Sequence, residues 1–220
     1  MKRREWLKRG GLAAMAATGL MAGQGARADS YSDFFLYIEL DRPEGLQKLL
    51  RTGFDVNARN PKGQHGLYMA FRNDSEKAAE LLLGWPGLDP EGTNAQGETL
   101  LMMAAMKGQI DAMKKLIALG AAVNRKGWTP LHYAASGGQQ AAIILLLSQG
   151  AELEARGPNG NTPLMMAAGY GTIDSARLLL SRGADPKLVD GGDRHASDYA
   201  RKAGHEGLAK DLEALAAKPS

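Results

Sequence analysis

The sequence predicts an all-α solenoid of stacked helix-turn-helix units, on three observations. A seven-residue sentence recurs as TLLMMAA at Thr99–Ala105, TPLHYAA at Thr129–Ala135 and TPLMMAA at Thr162–Ala168. Each copy is followed by a glycine (Gly108, Gly138, Gly171) and then by a leucine-rich stretch closed by another (Gly120, Gly150, Gly183). With the opening threonine as register, Thr99, Thr129, Thr162 and His195 lie 30, 33 and 33 residues apart, and His65 lies 34 before Thr99. Self-similarity at such a period marks a repeat architecture.

In chain order, residues 1–28 read as a cleavable export signal. Lys2, Arg3, Arg4, Lys8 and Arg9 form a charged head, and a Gly/Ala/Leu/Met run follows from Gly10 to Gly23. Ala26-Arg27-Ala28 supplies a small-x-small site that places cleavage between Ala28 and Asp29. The apolar run is too short and glycine-rich for a permanent span. Arg3-Arg4-Glu5-Trp6-Leu7-Lys8 resembles the twin-arginine signal, which implies a bacterial protein exported already folded to the periplasm.

The signal also carries the basic charge. The whole chain has a formal net charge of +3 from 27 Lys+Arg and 24 Asp+Glu. Residues 1–28 hold six basic groups and one acidic group, so residues 29–220 keep 21 against 23, a net of −2. Nucleic acid is therefore not an expected partner. The chain has no cysteine, which excludes disulfides, thiol nucleophiles and thiolate metal sites.

Residues 29–220 read as the repeat domain. Thr129 and Thr162 are N-caps, with Pro130 and Pro163 at the first helical position, where the missing N–H costs nothing. A short first helix runs to the mid-repeat glycine. A second helix carries apolar residues at helical spacing, such as Met113, Leu116 and Ile117. Gly53, Gly120, Gly150 and Gly183 stop it. The register puts Tyr37 in the column of Ala70, Ala104, Ala134, Ala167 and Ala200, and Leu49 in that of Leu82, Leu116, Leu146, Leu179 and Leu212. The first unit replaces the motif with Asp33–Tyr37, and the last brings Ser197 and Glu213 to apolar columns. This gives about four full repeats between two degenerate capping repeats.

TPLHYA at Thr129–Ala134, the mid-repeat glycines, and Gly150-Ala151 or Gly183-Ala184-Asp185 after the second helix resemble the ankyrin repeat. The resemblance covers residues 31–217. It implies a right-handed stack of helix pairs with β-turn fingers on one side, no cofactor, and a monomer that binds a protein on its concave face. Contact residues then fall at finger tips, just before the threonine, and before the mid-repeat glycine. In this chain these are Arg59, Asn60, Lys62, Gln64, Arg72 and Asn73, then Glu98, Met106 and Lys107. Trp128, Ser136, Asn161 and Tyr170 complete the set, with Trp128 and Tyr170 as aromatic anchors.

Two connections break the period. The segment Ala121–Trp128 is three residues short and predicts a stunted finger; the one around Trp85-Pro86-Gly87 has a residue extra. A short finger among longer ones predicts a notch in the binding surface.

Catalytic chemistry has little support. His132 holds the motif's own histidine position, His65 and His195 sit at helix starts, and His205 follows the turn at Gly204. None has a serine or carboxylate at a telling spacing. Asp190, Asp193 and Asp198 lie around a Gly-Gly turn without EF-hand spacing. Methionine stands out: Met69, Met102, Met103, Met106, Met165 and Met166 all lie on first helices, and Met102 and Met165 replace the motif histidine. The expected function is a non-enzymatic, exported interaction module, an accessory to a redox or stress-defence enzyme. The alternative is a small-ligand or Cu(I) binder that uses the methionine layer.

Overall fold

The computed structural model describes the backbone of residues 22–218 and the side chains from Asp29 onward. The twin-arginine pattern at Arg3-Arg4 lies outside the described residues. Among them are twelve α-helices, arranged as six antiparallel pairs. The pairs are α1 (Ala22–Glu39) with α2 (Pro43–Arg51), α3 (Gly66–Arg72) with α4 (Glu76–Leu83), and α5 (Leu100–Lys107) with α6 (Ile110–Ala118). They continue with α7 (Pro130–Ser136) and α8 (Gln140–Ser148), α9 (Pro163–Tyr170) and α10 (Ile173–Ser181), and α11 (Ala196–Lys202) and α12 (Glu206–Ala216). The expected cleavage point between Ala28 and Asp29 falls within α1. No helix of the described residues is long and apolar enough to cross a membrane.

Thr99 and Thr162 cap their helices through their side chains, and Thr129 holds the N-cap position without such a bond. In each case the side chain three residues on answers the threonine amide. Thr99 and Thr162 accept from the amides of Met102 and Met165 through their hydroxyl oxygens. In return the sulfurs of Met102 and Met165 accept from the amides of Thr99 (3.3 Å) and Thr162 (3.4 Å). His132 gives the same answer through Nδ1 to the Thr129 amide, and Asp198 through Oδ2 to the His195 amide. A thioether, an imidazole and a carboxylate thus fill one reciprocal capping position.

Neither short helix of a pair can bury its own apolar face, so the pairs stack. α5 packs on α7, α7 on α9 and α9 on α11, with α6, α8 and α10 stacked alongside. The alanines at 70, 104, 134, 167 and 200 are fully buried where inner helices approach closely, and Leu82, Leu116, Leu146 and Leu179 are fully buried between layers. Each such leucine contributes about 1.5–3 kcal/mol of burial. The result is one continuous core from Phe34 to Leu212.

The first unit departs from its expected columns. Phe34 and Ile38 are buried on α1, while Tyr37 is half-buried with its ring against Gly45. On α2, Leu46 and Leu50 are buried and Leu49 only partly. α1 is longer than the inner helices of the full repeats and brings Phe34 against Phe54 and Phe35 (centroids 4.8 and 5.1 Å), so this end is closed by an aromatic cluster. Tyr37 is too bulky for the close approach that the alanine column makes elsewhere, and Phe34 and Ile38 supply the buried face instead.

Side chains at the finger bases tie each repeat to the next. The Asn57 carboxamide donates to the Gly87 carbonyl and accepts from the Asp89 amide, and Asn124 does the same with Gly150 and Glu152. Glu91 and Glu154 accept from the amides of Ala122 and Asp185. The fingers ending at His65, Thr99 and His195 are pinned by antiparallel bridges with Arg59, Thr93 and Val189. Among the described residues neither the short segment 121–128 nor the full-length finger ending at Thr162 has such a bridge.

Candidate interaction surface

The short finger determines what Trp128 can do. Gly157 on the following finger has no side chain, and a Cβ there would lie 2.9 Å from the indole Cζ3. The indole therefore leans onto the Gly157 backbone, with its edge to the His132 ring at 5.2 Å and 88°. Trp128 lines three neighbouring concavities of about 220, 250 and 230 Å³. The first adds Met166, Tyr170, Tyr199, Arg194 and Lys202; the second adds Met106, Tyr133, Ser136 and Met166. The third lies over the short finger itself, between Gln96, Arg125, Lys126 and Pro158. Tyr170, at the end of α9, is 63% exposed.

Two carboxylates beside these cavities are organised by tyrosines. Glu98 accepts from Tyr68 and Tyr133, both at 2.6 Å, and from Asn94. It thereby joins residues on α3 and α7 across its own repeat. Burial alone would raise its pKa, but the donors from Tyr133, Tyr68 and Asn94 and the charge of Arg72 hold it below the usual value. Both tyrosines are pushed up, first by burial and then by the hydrogen bond to Glu98. At the last finger, buried Asp190 accepts from Tyr199 (2.6 Å), the Arg194 guanidinium (2.7 Å) and the amides of Gly192 and Arg194. Burial opposes ionisation there too, yet these donors keep the carboxyl far below its ordinary range. Burial and then Asp190 raise Tyr199 to about 12. The acidic cluster around Gly191-Gly192 is thus a self-satisfied turn.

His65 and His132 are neutral scaffolding at neutral pH. His132 is buried, accepts at Nδ1 from Thr129 and donates from Nε2 to the Asn161 carbonyl at 2.9 Å. His65 accepts at Nδ1 from Leu67 and donates to Asn57. Burial, followed by the Arg59 charge, lowers His65 to about 4; burial lowers His132 as well.

The expected contact residues divide. Lys62, Arg72 and Asn73 are exposed at the first finger and helix end, and Trp128, Met106, Ser136 and Tyr170 line the cavities. Asn161 lines the cavity beside Tyr170 as well, but it is largely buried, and its carboxamide donates to the Tyr199 hydroxyl at 2.5 Å. Arg59 is exposed, but its guanidinium clips its own finger to the Thr93 carbonyl of the next. Arg156 repeats that clip on Val189 (2.7 Å). Gln64 accepts from Asn60, and Lys107 is paired with Asp74 at 2.8 Å.

Arg194 and Lys202 were absent from that set and line the cavity beside Tyr170. The register held the signal: Arg194 stands just before His195 as Trp128 stands before Thr129, and Lys202 shares a column with Ser136. The methionine layer has packing and capping roles. The sulfurs of Met102 and Met165 are buried against amides, and Met106 and Met166 form cavity walls. Among the described residues no group of three or more His, Asp or Glu is placed to hold a metal ion.

The ankyrin-repeat family profile matches in three overlapping stretches, residues 34–126, 67–157 and 101–190. The chain belongs to the ankyrin-repeat family. It is 30% identical over 170 residues to the nuclear factor NF-kappa-B p105 subunit of Gallus gallus, covering 74% of this chain and 17% of that protein. It is 35% identical over 88 residues to the 2-5A-dependent ribonuclease of Mus musculus, covering 38% of this chain and 12% of that protein. The chain thus spans less than a fifth of these curated relatives. A solved chain from the complex of the predatory endopeptidase Bd0816 from Bdellovibrio bacteriovorus with the immunity protein Bd3460 is similar in fold over most of this chain. Its TM-score is 0.69 at 26% identity, covering 83% of this chain and 97% of that one.

Proposed function

We propose that this chain is a non-catalytic module that captures a partner protein on its concave face, with Trp128 at the centre of the contact. The observation that carries this reading is the convergence of three cavities on one half-buried indole. Aromatic residues in partly enclosed pockets dominate interface energetics, and Tyr170 stands exposed at the rim of one. The stack fixes these groups before binding, so little ordering remains to oppose association. Support for a protein as ligand comes from the family and from the similar chain, which occurs in a two-protein complex. Residues 1–28 support export to the periplasm, and a redox or stress-defence enzyme is the partner class we propose there.

The test is partner capture from the periplasmic fraction by wild type, Trp128→Ala and Tyr170→Ala. Loss of the same captured band in both variants, with far-UV spectrum and melting retained, is the expected result. Capture that survives both substitutions places the contact on another face. Replacing Arg3 and Arg4 by lysine should strand the protein in the cytoplasm; unchanged periplasmic yield would remove the twin-arginine reading.

A further inference from the structure

We infer that the partner presents an acidic segment carrying one bulky apolar side chain to the surface around Trp128. This rests on the concave-face reading and adds the chemistry of the occupant. The cavities first set its size. At about 220–250 Å³ each, they fall below the roughly 300 Å³ at which drug-sized ligands are held. The wall formed by Met106, Met166, Trp128 and Tyr133 suits one inserted side chain, and thioethers adapt to its shape.

Charge sets the rest. The walls carry four cations, Arg125, Lys126, Arg194 and Lys202, against two carboxylates, Glu98 and Asp198. Both carboxylates are already engaged. Glu98 accepts from two tyrosines and Asn94, and Asp198 accepts from the His195 amide and faces Arg201 at 3.5 Å. Arg194 is held by Asp190. Arg125, Lys126 and Lys202 make no ion pair with a described residue, and the Trp128 indole N–H has no hydrogen-bond partner among them. An excess of positive charge lines the notch of a region whose net charge is −2. Such a local field steers an acidic chain to this site and disfavours a basic one. The three-residue deletion in the finger opens the approach, and it brings Arg125 and Lys126 down beside the indole.

A random peptide library displayed on phage and selected on the full chain tests this, with recovered peptides titrated by fluorescence anisotropy. The expected peptides are net acidic with Leu, Phe or Trp flanked by Asp or Glu. Their affinity should fall about tenfold for the double variant Arg125→Glu, Lys126→Glu, and fall again between about 50 and about 500 mM salt. Circular dichroism of that variant should match wild type, since neither side chain is buried. Neutral or basic peptides that still require Trp128 would overturn the acidic partner and leave the concave-face reading standing. Peptides that bind Trp128→Ala as well as wild type would overturn both. An empty selection, or peptides displaced more tightly by oligodeoxythymidine, would also sink the inference.

Discussion

Two glycines that look interchangeable in sequence do different things. Gly138 has φ +69, where a side chain is strained, whereas Gly171, its equivalent one repeat on, has φ −89. A Cβ on Gly171 would run into the Ala135 carbonyl oxygen of the preceding repeat, so glycine is required there by close approach. Gly53 has φ +87 with open space around it. Gly53→Ala should therefore cost about 1 kcal/mol, and Gly171→Ala at least about 2 kcal/mol, read as midpoint shifts in urea. A smaller loss at Gly171 would contradict the close-packed account. At Glu98, Tyr133→Phe removes a donor from the carboxylate. Its pKa should move up in carboxyl NMR titration, while global stability changes by less than about 1 kcal/mol, because the pair is only part-buried. An unmoved Glu98 titration would show that Tyr133 does not hold the charge.

At the scale of the element, the fingers are a clipped series with one weak member. Arg59 and Arg156 bind carbonyls of the following finger, and the latches at Asn57, Glu91, Asn124 and Glu154 recur through all the full repeats. The segment 121–128 keeps its latch at Asn124 but is three residues shorter than its neighbours. Inserting three residues after Lys126 should restore a full finger and cover the notch. Partner capture should weaken by about tenfold or more while the melting temperature shifts by only a few degrees, since surface loops tolerate insertion. Undiminished capture would mean that the notch is length drift without consequence.

At the scale of the whole molecule, stability follows the protonation of buried groups. His65 is 1% exposed and falls from 6.5 to about 4 on folding. Above 6.5 both states are neutral and the group has no effect. As pH falls from 6.5 toward 4 the unfolded chain takes up a proton that the folded chain refuses. Folding stability should then drop by on the order of 3 kcal/mol from this group and level off below. His132, lowered in the same direction, adds to the slope. Asparagine can keep the helix cap at position 65, so His65→Asn should flatten the pH dependence of urea unfolding between pH 6.5 and 4. An identical slope in the variant would reassign the effect.

The repeat, its period, the capping threonines and the stop glycines were legible because they are local: a cap or a left-handed turn is written in the residues that make it. The short finger and Trp128 were legible as breaks in that period. The reading of residues 1–28 as an export signal is a proposal from sequence alone, and it concerns export rather than packing. Contacts between repeats were decided only by the tertiary structure. Asn161 follows the finger rule in sequence, yet its carboxamide is bonded to Tyr199, a repeat away. Tyr37 follows the column in sequence, yet Phe34 and Ile38 take the core because the first helix closes an open end. Arg194 and Lys202 reach the site only because the stack sets the last two repeats beside Trp128 and Tyr170. Sequence specifies what each unit needs from itself, and stacking decides what it receives from its neighbours.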